Sequence, residues 1–215
     1  MVIEPVADDP NVEQLQRRGI RLVSIGRQPG ADSALPYIDL QGRETGRLLL
    51  EHLRDQGARR IALLIGSQAR HSYVDVEQAY REFVEASGMP CLVIKADETG
   101  GEEAGMQACR DLLGEHPGID AICAPVDAFA VGAVRALKEM GRRIPDDVRV
   151  VTRYDGLRAQ NCQPPLTAVN LHLDQIASLA IELLFEQING RTGRSVVRGP
   201  RPDLVVRASS SRDAD

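Results

Sequence analysis

Two aspartates carry the strongest chemical signal in the 215-residue sequence. Asp127 follows the short apolar run Ala121 to Ala124, and Asp155 follows Val148, Val150 and Val151. A carboxylate just after an apolar run of strand length stands at the carboxyl end of that strand. In an open parallel sheet, that edge is where ligands bind. There a carboxylate accepts paired hydrogen bonds from the hydroxyls of a sugar or nucleoside, which orients the ligand. Tyr154 is delivered to the same strand end. Each aspartate also has a plainer reading, Asp127 as a helix cap and Asp155 as a turn residue. We expect Asp127 to be occupied by the N–H groups that open its helix. Asp155 has no helix of its own to cap, so its carboxylate is expected to be free for a ligand.

Other reactive residue types form no comparable set. The four histidines, His52, His71, His116 and His172, show no metal-ligand spacing and read as surface or helix-end residues. Ser72 follows His71, but neighbours in sequence rarely point at each other, and no G-x-S-x-G elbow is present. Neither a P-loop nor G-x-G-x-x-G occurs, and Gly100-Gly101 reads as a plain loop before a helix. Cys91, Cys109 and Cys123 lie in apolar patterns and, with Cys162, are expected to be reduced thiols. No catalytic residue, metal or cofactor is therefore assigned.

The elements that would position the aspartates alternate. Val131, Val134 and Leu137 make an apolar helical stripe after Asp127, Gly141 gives the left-handed exit, and Pro145 breaks the chain before the next strand. Strand, helix and strand joined by short connections should be parallel and adjacent. Upstream, strands are expected at Met1 to Ile3, Arg21 to Ile25, Tyr37 to Asp39, Ile61 to Ile65 and Cys91 to Ile94. Helices are expected over Asn11 to Arg18, from Gly46 to Gly57, from Val76 to Gly88, and over Glu102 to Leu113. A polar loop runs to Ala34, and a long helix carries Leu173, Ile176, Ala177, Ala180 and Leu184 to Asn189-Gly190. A last strand spans Leu204 to Val206, and the polar Ser209 to Asp215 is expected to fray. The class is α/β with mostly parallel sheets.

Ordered motifs extend this reading. Val126-Asp127, Gly141, Ile144-Pro145-Asp146-Asp147-Val148 and Tyr154-Asp155-Gly156 stand in sequence, followed by Pro164-Pro165-Leu166-Thr167-Ala168-Val169 and Asp203-Leu204-Val205-Val206-Arg207-Ala208-Ser209. Together they resemble the effector-binding core of the LacI/GalR family of bacterial transcription regulators. The resemblance implies a two-lobed periplasmic-binding-protein-like fold with an incomplete N-terminal lobe. That lobe would comprise residues 1–59 with 170–196. The C-terminal effector-binding lobe would comprise 60–168 with 200–209, leaving 210–215 as a disordered tail.

It also implies a small-molecule effector, sugar-like or less polar, bound in a cleft between the lobes. Asp155 stands at the family's ligand-hydroxyl contact, with Tyr154 and Asp127 beside it, and Asp39 at the end of an earlier strand is a looser match. Val76, Val126 and Leu171 stand where the family carries polar contacts, so three such contacts would have become apolar together. A homodimer is implied through Val131 to Glu139 and Ala159 to Pro164, with Val131, Val134, Ala159 and Cys162 as apolar contact points. DNA would be bound only through a headpiece that these residues do not include.

Composition agrees with that last point. A net charge of -5 with both signs interspersed argues against binding nucleic acid by charge alone. The absence of Trp and the scarcity of aromatics argue against a stacking platform for single strands. No apolar run reaches membrane-spanning length, and Glu4 and Pro5 interrupt any secretory signal after Met1. The expected location is the cytoplasm. Two rival readings are a stand-alone solute-binding protein and an enzyme on a similar scaffold.

Overall fold

The computed structural model describes residues 1–30, 35–190 and 194–212. The chain forms two compact units. The first comprises Met1–Gly42, Gln68–Asp75 and Leu171–Pro202, the second Arg43–Ser67, Val76–Asn170 and the segment from Asp203 onward.

In the first unit, β1 (Val2–Ile3), β2 (Ser24–Ile25), β3 (Tyr37–Asp39) and β9 (Val196–Arg198) make a parallel sheet in that order. Helix α1 (Pro10–Arg17) begins where sequence chemistry places it. Asp9 Oδ1 accepts from the Asn11 N–H at 3.0 Å, and Pro10 needs no donor in the first turn. Its Val12 is buried with Leu22 and Leu35. Helix α7 (Leu173–Ile188) lays Ile176, Ala180 and Leu183 on β2 and β3.

The second unit is a parallel sheet in the order β5 (Val93–Ala96), β4 (Ile61–Gly66), β6 (Ala121–Cys123), β7 (Arg149–Val151). All six residues of β4 are buried, as a central strand covered on both faces demands. Strand β8 (Ala168–Asn170) pairs antiparallel with β10 (Asp203–Val205), and a parallel bridge joins Val151 to Thr167. The helices are α2 (Gly42–Asp55), α3 (His71–Ser87), α4 (Gly101–Glu115), α5 (Asp127–Glu139) and the short α6 (Leu157–Asn161). Glycine lets α4 and α5 meet backbone to backbone. A Cβ on Gly132 would lie 2.1 Å from the Glu102 carbonyl oxygen, and one on Gly105 would lie 2.4 Å from Phe129 Cα.

The α/β class with mostly parallel sheets stands, while several boundaries differ. The chain leaves the first unit after Gly42 rather than at residue 59. Helix α2 packs against α3, because Gly46 leaves only 3.0 Å between a would-be Cβ and the Ala79 Cβ. Residues 68–75 belong to the first unit, not to the second. The strand expected at Cys91 to Ile94 is shifted to Val93–Ala96, and the last strand to Asp203–Val205. Strands β8 and β9 and helix α6 were not anticipated.

The largest correction is at the end of the chain. Ser209, Ser210 and Ser211 are buried rather than frayed. Ser209 Oγ donates to the Val150 carbonyl and accepts from the Thr167 N–H at 2.8 Å. Ser210 Oγ lies 2.7 Å from His52 Nε2 and 2.6 Å from Thr167 Oγ1. His52 is accordingly a buried residue, not a surface one. The expected loop at 31–34, the stretch 191–193 and the tail at 213–215 lie outside the described residues.

Candidate functional site

The carboxyl ends of β6 and β7 place Val126, Asp127, Tyr154 and Asp155 on one edge of the second unit's sheet. The local chemistry at the two aspartates is not the expected one. Val126, not Asp127, holds the cap position of α5, because its carbonyl accepts the first helical bond from the Ala130 N–H at 3.1 Å. Asp127 is the first helical residue, and among the described residues its Oδ1 accepts from the adjacent Ala128 N–H, at 2.7 Å. Its Oδ2 lies 3.6 Å from Arg158 Nη1. Val126 is half-buried against the core.

Asp155 is not free. Its Oδ1 accepts from Arg207 Nη2 at 2.6 Å and from Gln160 Nε2 at 3.4 Å. Both partners of the ion pair are largely buried, the side chains of Arg207 and Asp155 being 19% and 14% exposed. The Asp155 backbone is also fixed, its N–H donating to the Val169 carbonyl at 3.2 Å. Arg207 is braced in turn. Its Nη1 donates to the Leu166 carbonyl at 2.9 Å and its N–H to Thr167 Oγ1 at 2.8 Å. Thr167 Oγ1 contacts Ser210, and Ser210 contacts His52, so a continuous polar chain runs from α2 to Asp155. Burial lowers the affinity of His52 for a proton, and Arg149 adds to that effect against the opposing pull of Asp55.

Helix α6 joins the two aspartates. It projects Arg158 toward Asp127 and, at 3.9 Å, toward Glu102, and Gln160 toward Asp155. Arg153 lies just past β7, is 1% exposed, and sets its guanidinium 4.7 Å from the Tyr154 ring centroid. Paired in this way, the side chains at the sheet edge constrain one another's orientation. Such an arrangement can recognise a polyhydroxylated molecule, whose hydroxyls both donate and accept.

The remaining predicted positions fall elsewhere. Val76 is fully buried, its Cα 3.4 Å from where a Cβ on Gly46 would stand. Leu171 belongs to the first unit and is 3% exposed. Asp39 ends β3 in the first unit, and its Oδ1 accepts from the Gln41 N–H at 2.9 Å. That bond shapes a turn in which Gln41 Nε2 donates to the carbonyls of Gly199 and Pro200. His71 Nε2 lies 3.5 Å from Asp75 Oδ1, so this imidazole has a carboxylate neighbour. Cys91 is exposed, contrary to its apolar context, while burial pushes the thiols of Cys109 and Cys123 up to about 12.

The proposed dimer contacts change as well. Val134, Ala159 and Cys162 are buried within the chain's own core, leaving Arg135, Lys138 and Glu139 as the exposed part of α5. Sequence reasoning missed Arg207, Arg158, Gln160 and Arg153. The signal for Arg153 was a charged residue between apolar β7 and Tyr154. Arg207 stands in the Asp203 to Ser209 motif that carries the family resemblance, one residue past the expected strand.

Residues 50–210 match the family model described as a periplasmic binding protein-like domain. The chain is 34% identical over 206 residues to the HTH-type transcriptional regulator CelR of Thermobifida fusca, covering 94% of this chain and 60% of that protein. It is 32% identical over 177 residues to the ribose operon repressor of Halalkalibacterium halodurans, covering 82% of this chain and 52% of the repressor. A solved structure of a transcriptional regulator CelR–cellobiose complex superposes with a TM-score of 0.87 at 32% identity, covering 97% of this chain and 64% of that one. A LacI-family regulatory protein from Chloroflexus aggregans superposes with a TM-score of 0.83 at 27% identity, over 98% of this chain and 76% of that one.

The chain belongs to the periplasmic binding protein-like family, in its LacI/GalR branch, and corresponds to the effector-binding portion of those regulators. It spans about half to three fifths of the length of the regulators it matches. Among the described residues, no helix is long and apolar enough to cross a membrane.

Proposed function

We propose that this chain senses a small carbohydrate as the effector portion of a LacI-like transcription regulator. The observation that carries the reading is the braced Arg207–Asp155 pair at the end of β7, with Tyr154 alongside and the Arg158–Asp127 pair at the end of β6. Planar charged groups fixed by each other give a sugar hydroxyl a donor and an acceptor at set positions, with little left to reorganise on binding. A similar chain, at 32% identity, is described in complex with cellobiose, which supports a short oligosaccharide as the class.

The effector's energetic role is to favour one arrangement of the protein over another, by its difference in affinity for the two. In the intact regulator that shift changes how a cytoplasmic homodimer presents its DNA-reading headpieces. The dimer would form through the exposed face of α5 and the 159–164 segment. DNA recognition is assigned to the headpiece and not to these residues, whose net charge is -5.

The test is a thermal-shift panel of cellobiose, maltose, ribose, galactose and adenosine, followed by calorimetry. A ligand that binds only the folded state raises the melting temperature. A sugar-dependent rise is expected. A rise with adenosine alone would move the effector class away from carbohydrate, and turnover of any panel member would turn the reading to an enzyme.

A further inference from the structure

Strand β5 is the outer strand of the second unit's sheet. Leu63 N–H donates to the Leu92 carbonyl and Ser67 N–H to the Ala96 carbonyl, each at 2.9 Å, so the even-numbered residues bond to β4. By the alternation of a strand, Val93 and Lys95 turn their N–H and C=O groups to the open side. An outer strand with unpaired main-chain groups is a template for another strand, unless charge, proline or a covering element blocks it. Lys95 would be such a guard, but its ammonium is held 2.9 Å from Glu77 of α3.

Beside this edge runs a groove of about 390 Å³ between β5 and α4. Ile94, Ala104 and Ala108 give it an apolar lining, Lys95 stands on its strand side paired with Glu77, and Asp111 and Glu115 make its acidic end toward the end of α4. The last turn of α4 carries no basic residue, so the negative end of its dipole adds to those carboxylates.

We propose that the β5 edge and this groove take an extended segment of another protein, with alternating apolar and basic side chains. Main-chain bonds to Val93 and Lys95 supply affinity, an apolar side chain meets the apolar lining, and a lysine or arginine meets Asp111 and Glu115. Charge selects this occupant over a second copy of the chain. Pairing β5 with β5 brings only Lys95 to the edge, and Glu77 already holds that cation.

The test is selection from a random peptide library displayed on phage, with the winning peptide then synthesised and measured by fluorescence anisotropy. Two variants report on the two features. Lys95→Pro removes an outward N–H and no bond to β4, and Asp111→Lys with Glu115→Lys reverses the charge of the acidic end. Melting temperatures show that each variant is folded. The expected result is enrichment of sequences alternating apolar and basic residues, which lose at least tenfold in affinity on each variant. No enrichment, enrichment of acidic sequences, or binding that survives both variants overturns the proposal. So does a dimer of the chain alone, seen by sedimentation, that Lys95→Pro abolishes, because it gives the edge to a second copy.

Discussion

The Arg207 guanidinium donates to Asp155 at 2.6 Å, across 52 residues of sequence, and both side chains are largely withdrawn from water. The pair fixes the orientation of the one aspartate that sequence reasoning singled out most strongly. It also ties the strap formed by β10 and Ser209–Ser211 to the end of β7. Removing one partner leaves the other charge poorly solvated, so the two substitutions should not be additive. Arg207→Gln and Asp155→Asn are each expected to lower stability by about 2 kcal/mol, within the range for hydrogen bonds to charged groups. The double variant should cost clearly less than their sum. Urea denaturation of the four proteins measures the coupling, and strict additivity would show that the pair contributes nothing as a unit.

Asp127 provides the contrast. Its carboxylate caps no second or third helical N–H, and its contact with Arg158 is 3.6 Å long with Arg158 59% exposed. Exposed pairs of this kind contribute roughly 0–1 kcal/mol. Asp127→Ala should therefore change the urea midpoint little, by about 0.5 kcal/mol or less in stability. A loss near the roughly 1 kcal/mol of a true cap would restore the capping role.

His52 makes stability depend on pH. Burial sets its folded-state pKa below the ordinary value of about 6.5, so the unfolded chain binds the proton more readily. The contribution of neutral His52 is complete above about pH 6.5, falls as pH drops through that value, and levels off below the folded pKa. In His52→Gln this part of the acid dependence should disappear. Urea midpoints from pH 7.5 to 5 for both proteins check the sign, and an unchanged slope in the variant would assign the dependence to other groups.

The α4–α5 contact predicts a severe effect from a small change. Gly132→Ala drives a methyl group into the Glu102 carbonyl, which is main chain and cannot rotate aside. The helices must separate, at a cost of about 3 kcal/mol or more. A control at Gly114, where an added Cβ meets nothing within 4 Å, should be neutral or stabilising. Equal melting temperatures for the two variants would mean that the close approach is not needed.

The parts of this fold legible in the sequence are those whose cause is local. Ile61 to Ile65 is apolar at every position and short, which suits a strand covered on both faces. The Val76–Ala79–Tyr80–Phe83–Val84 spacing could only be one helical stripe. Strand β9 was missed because three residues with two exposed side chains carry no burial pattern. Helix α6 has five residues and a single buried one, Ala159.

The partners of the two aspartates were illegible for a different reason. Arg158 and Arg207 reach them from outside the β6–α5–β7 unit, and no local spacing announces a contact made by tertiary packing. The three terminal serines misled because polarity was read as exposure. The hydroxyls of Ser209 and Ser210 are instead satisfied inside, by Val150, Thr167 and His52.

The central claim is that the Arg207–Asp155 pair orients a carbohydrate effector. Isothermal titration of cellobiose into the wild-type chain and into Asp155→Asn is the measurement that decides this, with Gly114→Ala as a folded comparison outside the site. Saturable binding by the wild type is expected, with a loss of about one to two decades of affinity in Asp155→Asn, the equivalent of one charge-assisted hydrogen bond. Unchanged affinity in folded Asp155→Asn would show that the pair does not orient the sugar.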